Sequence, residues 1–365
     1  MSEYKKILAP VLVPLSLLYG LGVGIRNQLF NLNLLKSVEF DFPVISIGNI
    51  TIGGTGKTPH VEYLIELLHS KFRVGVLSRG YKRRTKGFLL AEKGASAEAL
   101  GDESYQIFNK YEDVLVAVDE SRVHGIRQLK KTEKNPDVIL LDDAFQHRYV
   151  MPGVSILLID YYRPIFKDHL LPWGELRECR DAVRRANIVI VTKVPDTIKP
   201  IEKRLWKKEL DLFPYQYLYF TRFSYGLLTP LIKGVEVSLK DMKKRGTAIL
   251  LVTGIANPRP LLDYLKKYSK EVFPLRFPDH HDYTSEDCRL IEKRFEKIKS
   301  AEKIMITTEK DAGKLRNIMS SQDGLGSRAY YLPVKIKFSE DKESEFNRLI
   351  LNYVAKNKKI NRLHK

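Results

Sequence analysis

The sequence contains little cysteine and only one long apolar run. Among its 365 residues there are only two cysteines, Cys179 and Cys288, too few for a disulfide scaffold or an all-cysteine metal site. This scarcity favours a reducing compartment. No second apolar stretch follows residues 7–25, which excludes a multi-span transporter. A hydrophobic content of 44% with 29% charged residues also excludes a disordered or collagen-like chain.

Negative charge is also in short supply. Lys and Arg number 62 against 44 Asp and Glu, a formal net charge of +18. Such an excess predicts an anionic partner, which can be nucleic acid, a phosphorylated substrate or an acidic membrane. Single-stranded nucleic acid would need aromatic stacking residues among the basic ones, and Tyr81 stands alone beside residues 82–84. The charge alone does not choose among these partners, but together with the apolar run and the phosphate loop described below it favours a phosphorylated substrate and an anionic membrane surface over nucleic acid.

The apolar run itself predicts a helix at the N-terminus. Residues 7–25 are uncharged and lie between Lys6 and Arg26; as a helix they would reach about 28 Å, just short of a ~30 Å hydrocarbon core. Pro10 and Pro14 interrupt the run, and no Ala-x-Ala cleavage site follows it. We predict a helix that embeds in one leaflet as a membrane anchor. A buried core helix and a full membrane span are the alternatives.

The most specific motif is Thr51-Ile-Gly-Gly-Thr-Gly-Lys-Thr58, between a predicted strand and a predicted helix. Its glycines allow backbone N–H groups to turn toward a phosphate, and the helix N-terminus adds further N–H groups. Lys57 is expected to reach the β- and γ-phosphates, and the Thr58 hydroxyl to hold Mg²⁺. The predicted nucleotide-binding residues are Thr51, Ile52, Gly53, Gly54, Thr55, Gly56, Lys57 and Thr58.

A carboxylate pair at the end of another apolar strand complements this loop. Asp142 and Asp143 follow residues 138–141, and carboxylates in this position bind Mg²⁺ directly or through water. Thr58, Asp142 and Asp143 are therefore the predicted metal ligands, and which aspartate contacts the metal directly is left open. In the segment 192–196 the aspartate comes one position too late for the [NT]-K-x-D motif of GTPases, which favours ATP.

Short Val/Ile/Leu-rich strands alternate with helical patterns along the rest of the chain, as in a parallel sheet covered on both faces. The length predicts two domains. The predicted fold is an α/β, P-loop NTPase-type parallel sheet domain with a second, smaller α/β domain and the apolar N-terminal helix. The predicted ranges are 1–30 for the membrane-associating helix, 31–214 for the P-loop domain, 215–240 for an antiparallel connector, 241–355 for the second α/β domain and 356–365 for a basic tail.

Six segments, taken in chain order, resemble one known family. They are Gly48–Pro59, Leu77–Tyr81, Gly101–Glu103, Leu141–His147, Leu171–Glu178 and Phe277–Thr284. Together they resemble tetraacyldisaccharide 4′-kinase, the lipid A 4′-kinase of Gram-negative bacteria, over nearly the whole chain. Thr51, which replaces the first glycine of the general phosphate-loop consensus, matches the pattern of this family.

The resemblance implies a kinase domain over 31–214 and a lipid kinase reaction. The γ-phosphoryl group of ATP would pass to the 4′-hydroxyl of a tetraacylated glucosamine disaccharide 1-phosphate, giving the 1,4′-bisphosphate and ADP. The implied catalytic residues are Lys57, Asp102 as general base, and His280 as its partner. Asp102 read alone also fits a helix N-cap, and the choice of His280 over His281 stays open. Further substrate or phosphate contacts are expected at Arg79, Tyr81, Glu103, Arg122, Gln146, Arg177 and Glu178.

The implied partners are the acylated disaccharide lipid and an anionic membrane surface, with no obligate protein partner. The implied location is the cytoplasmic face of the inner membrane, peripheral or anchored by the N-terminal helix. A function of another class stays as the alternative: a membrane-associated P-loop ATPase or GTPase that acts as a switch or chaperone without a lipid acceptor.

Overall fold

The computed structural model describes residues 8–363 except 233, 256, 280, 317 and 320–324, with side chains as far as residue 358. The chain forms two compact units. The first comprises Met1–Phe223 together with Ile336–Lys365, and the second comprises Ser224–Lys335.

The apolar N-terminal segment forms helix α1 (Ala9–Asn31), which tolerates Pro10 in its first turn and Pro14 inside it. By length and composition, α1 is long and apolar enough to cross a membrane. Ser16 and Phe30 are buried against the protein. Three leucines are largely exposed: Leu17 (71%), Leu18 (65%) and Leu21 (61%).

A nine-stranded sheet forms the centre of the first unit. Its strands are β2 (Val44–Gly48), β3 (Val74–Ser78), β4 (Leu89–Leu90), β5 (Leu115–Val118), β6 (Val138–Asp142), β8 (Val154–Asp160), β9 (Ile188–Thr192), β10 (Tyr217–Tyr225) and β16 (Val334–Phe338). They lie in the order β16-β10-β9-β8-β2-β6-β3-β5-β4. The pairs from β10 to β5 are parallel and β4 is antiparallel to β5. Every residue of β2, β3, β5, β6, β8 and β9 is buried, because both faces of the sheet are covered.

Helices connect these parallel strands. They are α2 (Lys57–Leu68), α3 (Ala97–Leu100), α4 (Asp102–Lys110), α5 (Arg122–Lys131) and α6 (Pro200–Leu210), with 3₁₀ turns at Ile165–Lys167 and Arg180–Arg185. A short parallel pair, β1 (Val38–Glu39) and β7 (Val150–Met151), lies outside the main sheet. The crossovers place the carboxyl ends of β2 and β6 side by side, since Ile47 pairs with Asp142.

The second unit contains a smaller sheet in the order β11-β15-β14-β12-β13. Its strands are β11 (Thr229–Pro230), β12 (Ala248–Thr253), β13 (Val272–Arg276), β14 (Lys303–Thr308) and β15 (Ala329–Leu332), and its helices are α7 (Leu239–Arg245), α8 (Arg259–Leu265), α9 (Ser285–Glu296) and α10 (Glu309–Leu315). A 3₁₀ turn covers Gly326–Arg328. Ile291 and Leu315 pack with Met305 of β14 in its core.

The structure divides the chain differently from the predicted ranges. The last helix, α11 (Glu343–Leu363), packs Phe346, Ile350 and Val354 into the core of the first unit. Residues from 336 onward therefore belong to the first unit, whereas the predicted second domain, 241–355, included most of them. The predicted tail 356–365 continues this helix as far as Leu363. The assignment from sequence followed chain order, whereas the burial of this apolar helix face depends on a long-range contact.

The predicted antiparallel connector 215–240 also differs. Strand β10 is parallel to β9, with Tyr217 opposite Ile188. Along β10 only Tyr219 and Thr221 are buried, because this strand is covered less completely than the central ones. Incomplete cover produces the alternation of aromatic and polar residues that suggested an antiparallel pair.

Candidate active site

The phosphate loop, residues 51–58, connects β2 to α2. Gly53 and Gly56 have φ values of +85° and +87°, a conformation that glycine adopts without strain. A side chain on Gly56 would also lie 2.9 Å from the Phe223 ring. Helix α2 begins directly after Gly56, so its unpaired first-turn N–H groups are available to an anion. Thr58 lies half-buried in this turn.

The two aspartates at the end of β6 meet the loop. Lys57 Nζ lies 3.4 Å from Asp143 Oδ1, and Arg177 Nη1 lies 3.4 Å from Asp143 Oδ2. Asp142 is only 1% exposed, and its Oδ1 accepts no hydrogen bond from the part of the chain that the structure describes. The structure thus brings Lys57 of the phosphate loop together with Asp143 at the end of β6.

The two carboxyl groups differ in their ionisation. Burial, together with the negative charges of Glu103 and Asp143, raises the pKa of Asp142 to about 7, against the opposing effect of Lys57. Burial also opposes ionisation of Asp143, but Lys57 and Arg177 outweigh it and hold the pKa of Asp143 below its usual value. A cation close to Asp142 would therefore be needed to keep both groups charged at neutral pH.

Arg122 is a buried cation beside these carboxylates. Its exposure is 1%; Nη1 donates to the Asp119 carbonyl oxygen at 2.5 Å, while Nε makes no hydrogen bond to the residues described. Burial lowers the pKa of Arg122, Asp142 and Asp143 oppose this effect, and the net pKa is about 10. A guanidinium with a free donor at this point suits a phosphate oxygen.

Gln146 and Arg177 meet at Asn49, a buried residue that the sequence analysis did not single out. Gln146 Nε2 donates to the Asn49 carbonyl oxygen at 2.8 Å, and Arg177 Nη2 donates to Asn49 Oδ1 at 3.3 Å. Asn49 Nδ2 in turn donates to Thr55 Oγ1 of the phosphate loop at 2.9 Å. The signal for Asn49 was its place inside the segment Gly48–Pro59.

Glu178 is held by protein donors on both carboxylate oxygens. Asn27 Nδ2 and Arg185 Nη1 donate to Oε2 at 2.9 and 2.8 Å, and Gln146 Nε2 and Arg185 Nη2 donate to Oε1 at 3.1 and 3.0 Å. Burial opposes its ionisation, but Arg185 outweighs burial and keeps the pKa of Glu178 low. At 2% exposure, this carboxylate has its hydrogen-bond donors within the protein, and its predicted contact with the substrate stays a prediction.

Helix α1 contacts the same region along its length. Tyr19 Oη donates to the Arg177 carbonyl oxygen at 3.0 Å, and Arg26 donates to the Gln146 carbonyl oxygen at 3.3 Å. Ser16 Oγ donates to the Leu170 carbonyl oxygen at 2.8 Å. The apolar helix is therefore part of the framework that holds the site residues.

The other predicted residues occupy separate places. Asp102 is half-buried as the first residue of α4, and the N-cap position belongs to Gly101, so the capping alternative for Asp102 is wrong. Arg79 and Tyr81 are exposed after β3. His280 lies outside the described residues, and its pairing with Asp102 stays a prediction. His281 Nε2 lies 2.9 Å from Asp287 Oδ2, in the capping box that starts α9.

Comparison with known proteins decides the family. The model of the family described as tetraacyldisaccharide-1-P 4′-kinase (LpxK) matches residues 8–355. The chain belongs to this family. It is 50% identical over 349 residues to the tetraacyldisaccharide 4′-kinase of Phocaeicola vulgatus, with 95% of each chain covered. It is 47% identical over 354 residues to the enzyme of that name from Bacteroides thetaiotaomicron, covering 95% of this chain and 93% of the relative.

A solved structure agrees with this assignment. LpxK from Aquifex aeolicus in complex with ATP has a TM-score of 0.72 and 29% identity, covering 96% of this chain and 99% of that one. The family resemblance and the predicted α/β fold class are confirmed, and the alternative of a switch or chaperone is not favoured. Among the described residues no group of three or more His, Cys, Asp or Glu side chains could hold a metal by itself.

Proposed function

We propose that this chain transfers the γ-phosphoryl group of ATP to the 4′-hydroxyl of a tetraacylated glucosamine disaccharide 1-phosphate in lipid A biosynthesis. The observation that carries the proposal is the contact between Lys57 and Asp143 at the phosphate loop, in a chain of this family. In this contact Lys57, the cation that we propose for the phosphates, lies beside Asp143 at the end of β6.

The protein groups have separate tasks in this reaction. Asp102 accepts the proton of the 4′-hydroxyl while the hydroxyl oxygen bonds to the γ-phosphorus and the bond to the β–γ bridging oxygen breaks. His280 orients Asp102. Lys57 and the loop N–H groups, with Arg122, stabilise the charge that develops on the phosphoryl oxygens. ADP leaves, and Asp102 releases its proton to solvent.

The residues present fit Mg²⁺. This ion prefers hard oxygen ligands and is bound in such sites by one or two carboxylates together with substrate phosphates and water. Asp142, with a buried oxygen that accepts no hydrogen bond from any described residue, would hold it with Asp143 and the Thr58 hydroxyl. Bound Mg²⁺ supplies positive charge at the β- and γ-phosphates.

The remaining site residues recognise the acceptor. Arg79 and Arg177 offer donors to the phosphate and hydroxyl groups of the sugar. Gln146, whose amide donates to Asn49 and Glu178, supports this part of the site. Tyr81 and Glu103 are the further contacts that we propose for the acceptor. Glu178 supports this set through its hydrogen bond from Gln146.

Helix α1 holds the kinase on the cytoplasmic face of the inner membrane, where ATP is available. Its exposed leucines enter one leaflet, and part of the +18 net charge attracts the anionic headgroups. Changing Leu17, Leu18 and Leu21 to serine leaves the docked face of the helix intact. We expect this variant to lose flotation with anionic liposomes, and full retention of binding would contradict the anchor.

The activity test uses purified protein, γ-labelled ATP and the detergent-dispersed disaccharide 1-phosphate. We expect label in the lipid, dependent on Mg²⁺ and abolished by Lys57→Met. Lys203→Met is a matched control, because Lys203 is a largely buried cation that pairs with Glu340. Release of labelled phosphate that does not depend on the lipid, without labelled lipid, would refute the kinase.

A further inference from the structure

Side chains from outside the phosphate loop donate hydrogen bonds to its backbone carbonyl oxygens. Arg163 Nη1 donates to the Ile52 carbonyl oxygen at 3.0 Å and Lys193 Nζ donates to that of Gly54. The other two carbonyl oxygens of residues 52–55 also accept hydrogen bonds. Asn49 Nδ2 donates to the Gly53 carbonyl oxygen at 3.3 Å, and Thr192 Oγ1 donates to the Thr55 carbonyl oxygen at 2.8 Å. When successive N–H groups converge on an anion, the carbonyl groups must point away from it. Fixing four consecutive carbonyls therefore fixes the anion-binding face.

Lys193 is anchored for this task from a neighbouring strand. It directly follows β9 and has a φ of +57°, a backbone conformation that is unfavourable for a residue with a side chain. Its Nζ also donates to Asp160 Oδ2 at 2.6 Å, and Asp160 is the last residue of β8, paired with Thr192 in the sheet. The side chain thus spans from the sheet to the Gly54 carbonyl with its charge balanced by Asp160.

Arg163 is anchored in a similar way. Its Nη1 also donates to Glu175 Oε2 at 2.9 Å, and the Glu175 carbonyl oxygen accepts the Ile52 N–H at 2.8 Å. Glu175 therefore fixes residue 52 through its backbone and through Arg163. In both arms a carboxylate outside the loop orients a cation that binds a loop carbonyl.

We propose that Lys193 and Arg163 are positioning residues that keep the phosphate loop in its phosphate-binding form. The proposal rests on the proposed function only in that this loop binds the β- and γ-phosphates of ATP. It also gives a role to the lysine in segment 192–196, which resembles the [NT]-K-x-D motif of GTPases. Its lysine serves the loop, while Asp196 Oδ1 accepts a hydrogen bond from Arg222 Nη1 at 3.2 Å and so has a partner within the protein.

Nucleotides that differ in their phosphates test this role. For Lys193→Met we expect the dissociation constants of ATP and ADP to rise about tenfold, equivalent to the loss of about one charge-assisted hydrogen bond. The constant for AMP should stay within a factor of two, about 0.4 kcal/mol, because AMP has no phosphate beyond the α position. All three are measured by displacement of a fluorescent ADP analogue. Arg163→Met should show the same selectivity as an independent second variant.

The control is Lys203→Met. The Lys203 side chain is 14% exposed, compared with 19% for Lys193, and it pairs with Glu340 and not with the loop. Unchanged ATP and ADP binding in both test variants, or an equal weakening of ATP, ADP and AMP, would overturn the positioning role. Nucleotide binding is measured without lipid. If the variants selectively lose ATP and ADP binding while the unsubstituted protein labels no lipid, the positioning role would be supported and the proposed lipid acceptor would be refuted.

Discussion

Replacing Asn27 with leucine would show whether helix α1 shapes the active site in addition to its proposed role as a membrane anchor. Asn27 donates the hydrogen bond that reaches Glu178 Oε2 at 2.9 Å. Leucine has a similar volume but no donor. The change leaves a carboxylate of 2% exposure with one hydrogen bond fewer, and it leaves the outward leucines of the helix unaltered.

The magnitude follows from the number of donors that remain. A hydrogen bond to a charged group contributes about 1.5–3 kcal/mol, which corresponds to roughly 10- to 150-fold in rate if all of it is lost in the transition state. Arg185 still donates two hydrogen bonds to Glu178, and Gln146 donates one. We therefore expect the lower end, about a tenfold fall in kcat, because Gln146 and its neighbour Arg177 lose only part of their support.

The assay measures kcat, the KM for ATP and liposome flotation on the same protein preparations. For Asn27→Leu we expect a lower kcat with an unchanged KM for ATP and unchanged flotation. Asn31→Leu is the control, because Asn31 lies one turn further along α1 and its Oδ1 accepts Arg148 Nη2 at 2.8 Å. An unaltered kcat in Asn27→Leu, or an equal fall in both variants, would refute the reasoning.

Three further substitutions test single groups. Asp102→Asn should lower kcat by 100-fold or more, as expected for the loss of a general base (~10²–10⁴-fold), with ATP affinity nearly unchanged; weaker ATP binding would instead indicate a structural role. Asp142→Asn should abolish phosphoryl transfer. It should also raise the melting temperature of the metal-free protein at pH 8 by a few degrees, because the raised pKa of Asp142 means that the charged carboxylate opposes folding at this pH. A lower melting temperature would contradict this. Burial lowers the pKa of His60 to about 4. As the pH falls, the unfolded chain therefore binds a proton at His60 before the folded protein does, and the free energy of unfolding should decrease between about pH 6.5 and pH 4. In urea titrations His60→Gln should reduce this pH dependence of the free energy of unfolding, and an unchanged pH dependence would exclude His60 as its source.

Much of the site could be predicted from residues that are close in the chain. The segment Thr51–Thr58 combines glycines, a lysine and a helix start within eight positions, and each contributes to phosphate binding through local backbone geometry. Asp142 and Asp143 could be placed beside it because parallel strands bring their carboxyl ends to one edge of a sheet. The capping alternative for Asp102 failed because the preceding Gly101, with a φ of +82°, takes that position.

The residues that the sequence analysis missed act through long-range contacts. Asn27 lies 151 residues from Glu178 and Lys193 lies 139 residues from Gly54, and neither belongs to a local pattern. An isolated asparagine in an apolar helix, or a lysine after a strand, does not indicate its partner. The four hydrogen bonds donated to Glu178 could not be predicted for the same reason, since only the fold shows them.

The sequence by itself determined the chemistry of this protein: an anion-binding loop, a pair of carboxylates, an apolar N-terminal helix and the order of strands and helices. Each of these features depends on the types of residue and their short spacing in the chain, because local backbone geometry follows from them. Only the tertiary structure decided that α11 returns to the first unit, that α1 supports the active site, and that Lys193 and Arg163 hold the loop. These depend on which surfaces become buried together, and burial is a property of the whole fold.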